Sequence, residues 1–198
     1  PVVLFDCSAD SDWPVCLVSS DNYKLGLLAG EALGKAMDGK GIWAAVNWSD
    51  AVITNGQRSF GAEDYIKEHY PDMECYKLFF TYNLPDADLT FARDTLTAKK
   101  DFGGFITGCE SQLAPTLSAT QEAGRVGDVK IVAIDITPVS IEYIKDGSVA
   151  AVVTQNPFNM GYTGTMTAYK AALGEEVPEF IDSGSAIVDK ETMENDET

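Results

Sequence analysis

"KIVAIDITP" (residues 130–138) decides how the rest of the chain is read. Four apolar residues run unbroken from Ile131 to Ile134, then a carboxylate appears at Asp135, and Thr137 and Pro138 open a helical pattern. An apolar run of this length, bounded by turn residues, fits a strand buried on both faces. The charge at its end then stands where the strand leaves the core.

The same unit recurs in both directions. "PVVLF" (1–5) and "VCLVSS" (15–20) are strand-like, and residues 22–37 place Leu25, Leu28, Ala29, Ala32, Leu33 and Ala36 at helical spacing behind Asp21, a natural cap. "GIWAAVNW" (41–48) predicts a strand followed by a helix over about 57–69, and "CYKLFFT" (75–81) a strand followed by a helix over about 87–99. "FGGFITG" (102–108) leads to a helix over about 111–123, and "VKIVAID" (129–135) to a short helix over about 139–145. "SVAAVVTQ" (148–155) leads to a helix over about 159–173, and "SGSAIVD" (183–189) is a last strand before a polar acidic tail. Strands alternating with helices predict an α/β fold with doubly wound parallel sheets, in which ligands bind at the carboxyl ends of the strands. Asp135 stands at such an end.

Composition narrows the function. The 198 residues are 45% hydrophobic, enough for a sizeable core. Thirty-one acidic against 14 basic residues give a formal charge of −17, which argues against nucleic acid and against an anionic membrane surface. Cys7, Cys16, Cys75 and Cys109 form no CxxC pair, and with His69 as the single histidine a zinc site has almost no support. Cys16 and Cys75 sit in apolar runs as small core residues. No stretch approaches the roughly 20 apolar residues that span a bilayer, and no signal-peptide pattern is read. The chain opens directly on a strand, as a piece of a longer protein would.

No GxSxG elbow, phosphate loop or GxGxxG fingerprint is present, and His69 reads as a solvated residue at the end of a surface helix. What accumulates instead is polar residues after strands: Asn47, Trp48, Ser49 and Asp50; Thr81, Tyr82 and Asn83; Cys109 and Glu110; Asp135; Gln155, Asn156 and Phe158. Carboxylates and amides pair with adjacent hydroxyls, and an aromatic ring covers the apolar face of a sugar. Any single one of them serves equally well as a helix cap or a loop contact. As a set with no nucleophile–base pair beside it, they point to binding without chemistry, with no cofactor and no metal.

Five segments, in order, resemble the periplasmic sugar-binding proteins of ABC transporters in the ribose-binding type, relatives of the LacI-type repressor effector domain. "PVVLFD" is similar to the family's "PVV.LD", with Cys7 where an arginine is frequent, and "VSSDNYKLGLLAGEAL" to "v.sDN..gG..aa..l". "NGQRSFGAEDYIKEHYP" is similar to "R..GF..al..hp", with Arg58 and Gly61 matching, Ala62 for the usual aromatic, and Gly56, next to Asn55, where some members carry a sugar-contacting arginine. "FITGCESQLAPTLSATQEAG" is similar to "v.a.nD.mA.ga..al..aG", placing Cys109 where many relatives have a ligand-binding asparagine. "VKIVAIDITPVSIEYIKDGSVAAVVTQNPFNMGYTG" is the strongest match, to "v.vvGfD.tp.....i..G.l.atv.Q.p...G..g".

The resemblance covers the later two-thirds of such a protein. It implies two lobes joined by three crossings: a partial amino-terminal lobe from residues 1–20 and 156–182, and a complete carboxyl-terminal lobe from 21–155 and 183–198. It implies a non-enzymatic solute-binding component that closes on a monosaccharide by hinge motion, with Asp135, Gln155 and Asp6 as sugar contacts. The candidate ligand residues are therefore Asp135, Gln155, Asp6, Cys109, Asn55, Arg58, Tyr82 and Trp48. The partner implied besides the sugar is a membrane permease, in a periplasmic or extracellular membrane-anchored setting. An effector domain of a LacI-type regulator, in the cytoplasm, or of a membrane sensor is the alternative. With the first strands of one lobe missing, apolar faces on 1–5, 15–20 and 159–173 would be exposed, which predicts self-association of the fragment or loss of the first half by truncation or cleavage.

Overall fold

The computed structural model describes residues 1–82, 84 and 86–196. The chain forms two compact units, one from Pro1–Asp21 and Gln155–Ala186, the other from Asn22–Thr154 and Ile187 onward. The expected lobe boundaries were 20/21, 155/156 and 182/183; the units divide at 21/22, 154/155 and 186/187.

The smaller unit is a three-stranded sheet in the order β1 (Val2–Phe5), β2 (Pro14–Ser19), β8 (Phe180–Asp182), all parallel. Helix α6 (Pro157–Ala172) packs beside β1 and β2. Its start is fixed by Pro157 in the first turn and by Asn156, whose side chain accepts from the Asn159 amide at 3.0 Å. Asn159 in turn donates to the Ser183 carbonyl. This unit leaves Phe5, Trp13, Phe158, Tyr162, Tyr169, Leu173 and Phe180 exposed, Phe158 by 83%.

The larger unit holds a six-stranded sheet in the order β4 (Asp72–Phe80), β3 (Lys40–Asn47), β5 (Phe102–Thr107), β6 (Lys130–Ile134), β7 (Ala151–Gln155), β9 (Ser185–Asp189). The β3–β4, β3–β5, β5–β6 and β6–β7 pairs are parallel. The unbroken apolar run of β6 is explained by cover on both faces. Val132 and Ile134 join a core with Leu25, Ala29 and Leu33 of α1 (Asn22–Ala36) and Ala62 and Ile66 of α2 (Ile53–His69). Ile131 and Ala133 point the other way, onto Leu113 and Leu117 of α4 (Glu110–Glu122) and Ile144 of α5 (Pro138–Lys145). The same alternation divides β3: Trp43 and Ala45 face α1, while Ala44 and Val46 face Ala92 and Leu96 of α3 (Ala87–Ala98).

Several expected boundaries are corrected. Helix α2 begins at Ile53 rather than 57, since Gly56 stays within it, and β4 begins at Asp72 rather than 75. Strand β7 starts at Ala151 rather than at 148, after a turn at Asp146 and Gly147 (φ 81°) and bent backbone over residues 148–150. Strand β8 was not foreseen: three residues, none buried, carry no periodic signal. The acidic tail is helical, as α7 (Lys190–Asp196), with Met193 packed onto the α5 side of the core.

Helices α1 and α2 approach closely through glycine. A β-carbon at Gly26 would overlap the Arg58 carbonyl oxygen, and one at Gly61 would overlap that of Tyr23. Ala62, fully buried against Gly30, fits this contact where a ring would not. Gly26→Ala should therefore destabilise the protein by about 1–3 kcal/mol, the ordinary range for overpacking a tight contact, read from the urea unfolding midpoint. An unchanged midpoint would mean that the two helices separate without cost.

Candidate functional site

The carboxyl ends of β3, β5 and β6, with the first turns of α1 and α2, bring several of the expected residues together in the larger unit. At the centre is Arg58, whose side chain is only 8% exposed. Its Nε donates to Asn22 Oδ1 at 2.8 Å and its Nη1 to the Gly108 carbonyl at 2.8 Å. The same Nη1 lies 3.5 Å from Asp135 Oδ2, on a side chain that is 29% exposed. Three elements that the sequence leaves far apart are thus tied to one buried cation: the start of α1, the end of β5 and the end of β6.

Asp135 does not cap the following helix. Thr137 does so, through a reciprocal pair in which its Oγ1 accepts from the Ser140 amide at 3.1 Å and its own amide donates to Ser140 Oγ at 2.8 Å, with Pro138 in the first turn. Asp135 is held instead by its amide, which donates to the Val153 carbonyl at 3.0 Å, and in the left-handed region at φ 77°. Asp6 (φ 68°) and Tyr82 (φ 50°) also occupy that region, which costs a residue with a β-carbon roughly 1–2 kcal/mol. Such strain at strand ends is retained where surrounding bonds impose it. For Asp6 these are its amide to the Val18 carbonyl and the Ser19 hydroxyl to its own carbonyl, at 2.9 and 2.6 Å.

Cys109 follows Gly108 at the N-cap of α4, half-buried, with its thiol against the Gln112 side-chain oxygen and Ser111 Oγ. Burial pushes its pKa up, against the opposing pull of the Ser111 hydrogen bond and the Arg58 charge. Asn55 is turned inward: it is buried, and its Oδ1 has no hydrogen-bond partner among the described residues. Trp48 and Tyr82 sit on the loops after β3 and β4, which are zipped together by the Tyr82 amide to the Trp48 carbonyl at 2.7 Å and the Thr81 amide to the Asn47 carbonyl at 2.9 Å. The Tyr82 hydroxyl donates to Asp50 at 2.6 Å, and that bond raises its pKa.

Strand order separates this edge pair from the centre. β4 is three strands from β6, roughly 14 Å at ordinary spacing, so Tyr82 and Asp50 form a cluster of their own apart from Asp135. Asp6 is exposed at the end of β1 in the smaller unit, and Gln155, the last residue of β7, is half-buried where the chain returns to that unit. Asn83 lies outside the described residues. Ser49 Oγ accepts from the Ala51 amide, and Asn156 caps α6, so both serve the backbone. Sequence reasoning missed Asn22 as the partner of Arg58; its signal was the "DN" pair that follows β2.

All four cysteines are free. Among the described residues no cluster of His, Cys, Asp and Glu is placed to hold a metal ion, and no helix is long and apolar enough to cross a membrane.

The fold is a doubly wound α/β fold whose sheets carry polar residues at their carboxyl edges. Residues 1–176 match the family described as "Periplasmic binding protein domain", and the chain belongs to that family. It is similar to the ribose import binding protein RbsB of Escherichia coli (strain K12), 28% identical over 183 residues, which are 89% of this chain and 59% of that protein. The chain thus spans about 59% of the length of the curated relatives it matches. Among solved structures it resembles a carbohydrate transporter solute binding protein from Agrobacterium radiobacter in complex with D-arabinose, at 26% identity and a TM-score of 0.89, over 100% of this chain and 68% of that one. It also resembles an ABC transporter periplasmic solute binding protein from Actinobacillus succinogenes 130z with bound D-allose, at 25% identity and a TM-score of 0.90, over 98% and 70% of the two chains. These relatives are transport binding proteins rather than enzymes or regulators.

The thiols give a check on the site's solvent access. Only the thiolate reacts with an alkylating reagent, and burial pushes Cys75 up to about 12 and raises Cys109 as well. At pH 8, mass spectrometry after iodoacetamide should find exposed Cys7 modified first, with Cys109 and Cys75 lagging. Their rates should keep rising with pH beyond the ordinary thiol value of about 8.5, because their protons are held longer. Cys109 reacting as fast as Cys7 would contradict its placement.

Proposed function

We propose that this chain is the ligand-binding component of a sugar ABC importer, and that its ligand is a monosaccharide received at the carboxyl edge of the six-stranded sheet. The observation that carries this reading is Asp135: a strained, partly exposed carboxylate at the mouth of an apolar strand, set beside buried Arg58. A carboxylate so placed accepts from two neighbouring ring hydroxyls at once, which a neutral polyol offers and most other metabolites do not. The D-arabinose and D-allose bound by the two structural relatives support the same ligand class.

Around Asp135, Arg58 supplies the opposite charge, and Cys109, whose thiol proton goes to Gln112, stands where the family resemblance puts a ligand-binding asparagine in many relatives. Asp6 and Gln155 keep the sugar-contact roles given by the family resemblance. Trp48 is the nearer of the two aromatic candidates, because β3 lies closer to β6 than β4 does. Asn55, being buried, is assigned a supporting role. The larger unit is assigned as the carboxyl-terminal lobe and the smaller as part of the amino-terminal lobe. The partner is the membrane permease of the importer, and the setting is periplasmic or extracellular and membrane-anchored.

A thermal-shift screen of the intact protein against pentoses, hexoses and polyols tests this. Ligand at 100 times its dissociation constant stabilises the folded state by about 2.7 kcal/mol, a rise of several degrees. One sugar should produce that rise, and Asp135→Asn, which keeps the shape and removes the charge, should abolish most of it. A folded protein that shifts with no sugar would overturn the proposal.

A further inference from the structure

Asn47 was first read as one more polar group facing a ligand. It is fully buried, so it cannot be one. Its side-chain amide instead bonds in three directions: Nδ2 donates to the Asn55 carbonyl at 2.9 Å and to Ser59 Oγ at 3.2 Å, and Oδ1 accepts from the Trp48 amide at 2.8 Å. Asn55 and Ser59 bracket Arg58 in the first turns of α2. Its backbone carbonyl accepts from the Thr81 amide, joining the next loop. It also lies directly against Gly108: a β-carbon there would overlap the Asn47 amide group. Gly108 is bonded through its amide to Val46 and through its carbonyl to Arg58 Nη1, each at 2.8 Å.

We infer that Asn47 is the positioning residue of the proposed sugar site: it touches no ligand, but fixes Trp48, the Arg58 turn of α2 and the Gly108 carbonyl relative to one another. Every polar atom of its side chain is spent within the protein, and no other residue type of that size supplies two donors and one acceptor in this arrangement. Gly108 follows from it, since only a residue without a β-carbon leaves the space that Asn47 fills. This inference rests on the sugar-binding reading for its functional consequence, and on hydrogen bonds and the close Gly108 contact for its structural part.

Two measurements on the intact protein separate these parts. The first is sugar affinity by titration calorimetry. Asn47→Ala and Gly108→Ala should each weaken it by about tenfold or more, because the groups they hold are displaced from the bound geometry. The double variant should bind no more weakly than Asn47→Ala alone, because the added β-carbon then enters the space the amide vacated. Losses that simply add, or Asn47→Ala binding like the wild type, would overturn the positioning role. The second is amide hydrogen exchange without ligand. Asn47→Ala should speed exchange at Trp48 and across residues 53–59, leaving α3 and α5 unchanged. Uniform acceleration, or none, would show that Asn47 is an ordinary core polar group. If the wild type binds no sugar, the proposed function fails while the exchange pattern still decides what Asn47 holds. Should Asn47→Ala not fold, Asn47→Ser keeps a donor toward Asn55 and is measured the same way.

Discussion

A buried guanidinium organises the larger unit. Arg58 sits almost without solvent, and a charge in that position is tolerated only when its protons are accepted by well-placed oxygens. It finds them on Asn22, Gly108 and Asp135, which belong to three different elements. The requirement acts both ways: the cation needs these acceptors, and the acceptors are therefore held where the sheet opens. Glycine at 26 and 61 makes the arrangement reachable, because only a close crossing of α1 and α2 brings Asn22 within bonding distance of Arg58.

The carboxyl edge is also where local conformation departs from its easy minima. Asp6, Tyr82 and Asp135 all adopt a left-handed backbone without being glycine. For Asp135 the reason lies in its neighbours. The amide is bonded across to β7, the next helix is capped by Thr137, and the side chain lies beside the Arg58 guanidinium.

Much of the fold could be read from residue pattern. "KIVAI" announced a strand covered on both faces, and the alternation of Val132 and Ile134 against Ile131 and Ala133 bears that out in two separate cores. One boundary was late, since α2 begins at Ile53 rather than at about 57. Weak elements stayed hidden for a simple reason: "FID" in β8 is short and unburied, and α7 is formed by an acidic sequence whose single anchoring residue is Met193. The site was legible as a set of polar strand ends, but not in its division of labour. Ser49 and Asn156 turned out to serve the backbone, Tyr82 to pair with Asp50, and Asn55 to face inward.

Sequence by itself determined the alternation of strands and helices, the parallel sheets, and the placing of Asp135 at a strand's open end. These depend on hydrophobic period and turn chemistry, which act between residues near one another in the chain. Only the tertiary structure decided that Arg58 would be buried beside Asp135, that Asn22 and Gly108 would hold it, and that Asn47 would lie inside rather than at the surface. Those outcomes depend on how closely two helices can cross and on which strand lies next to which. Neither distance is written in any single stretch, because each is set by packing between residues from 36 to 77 positions apart.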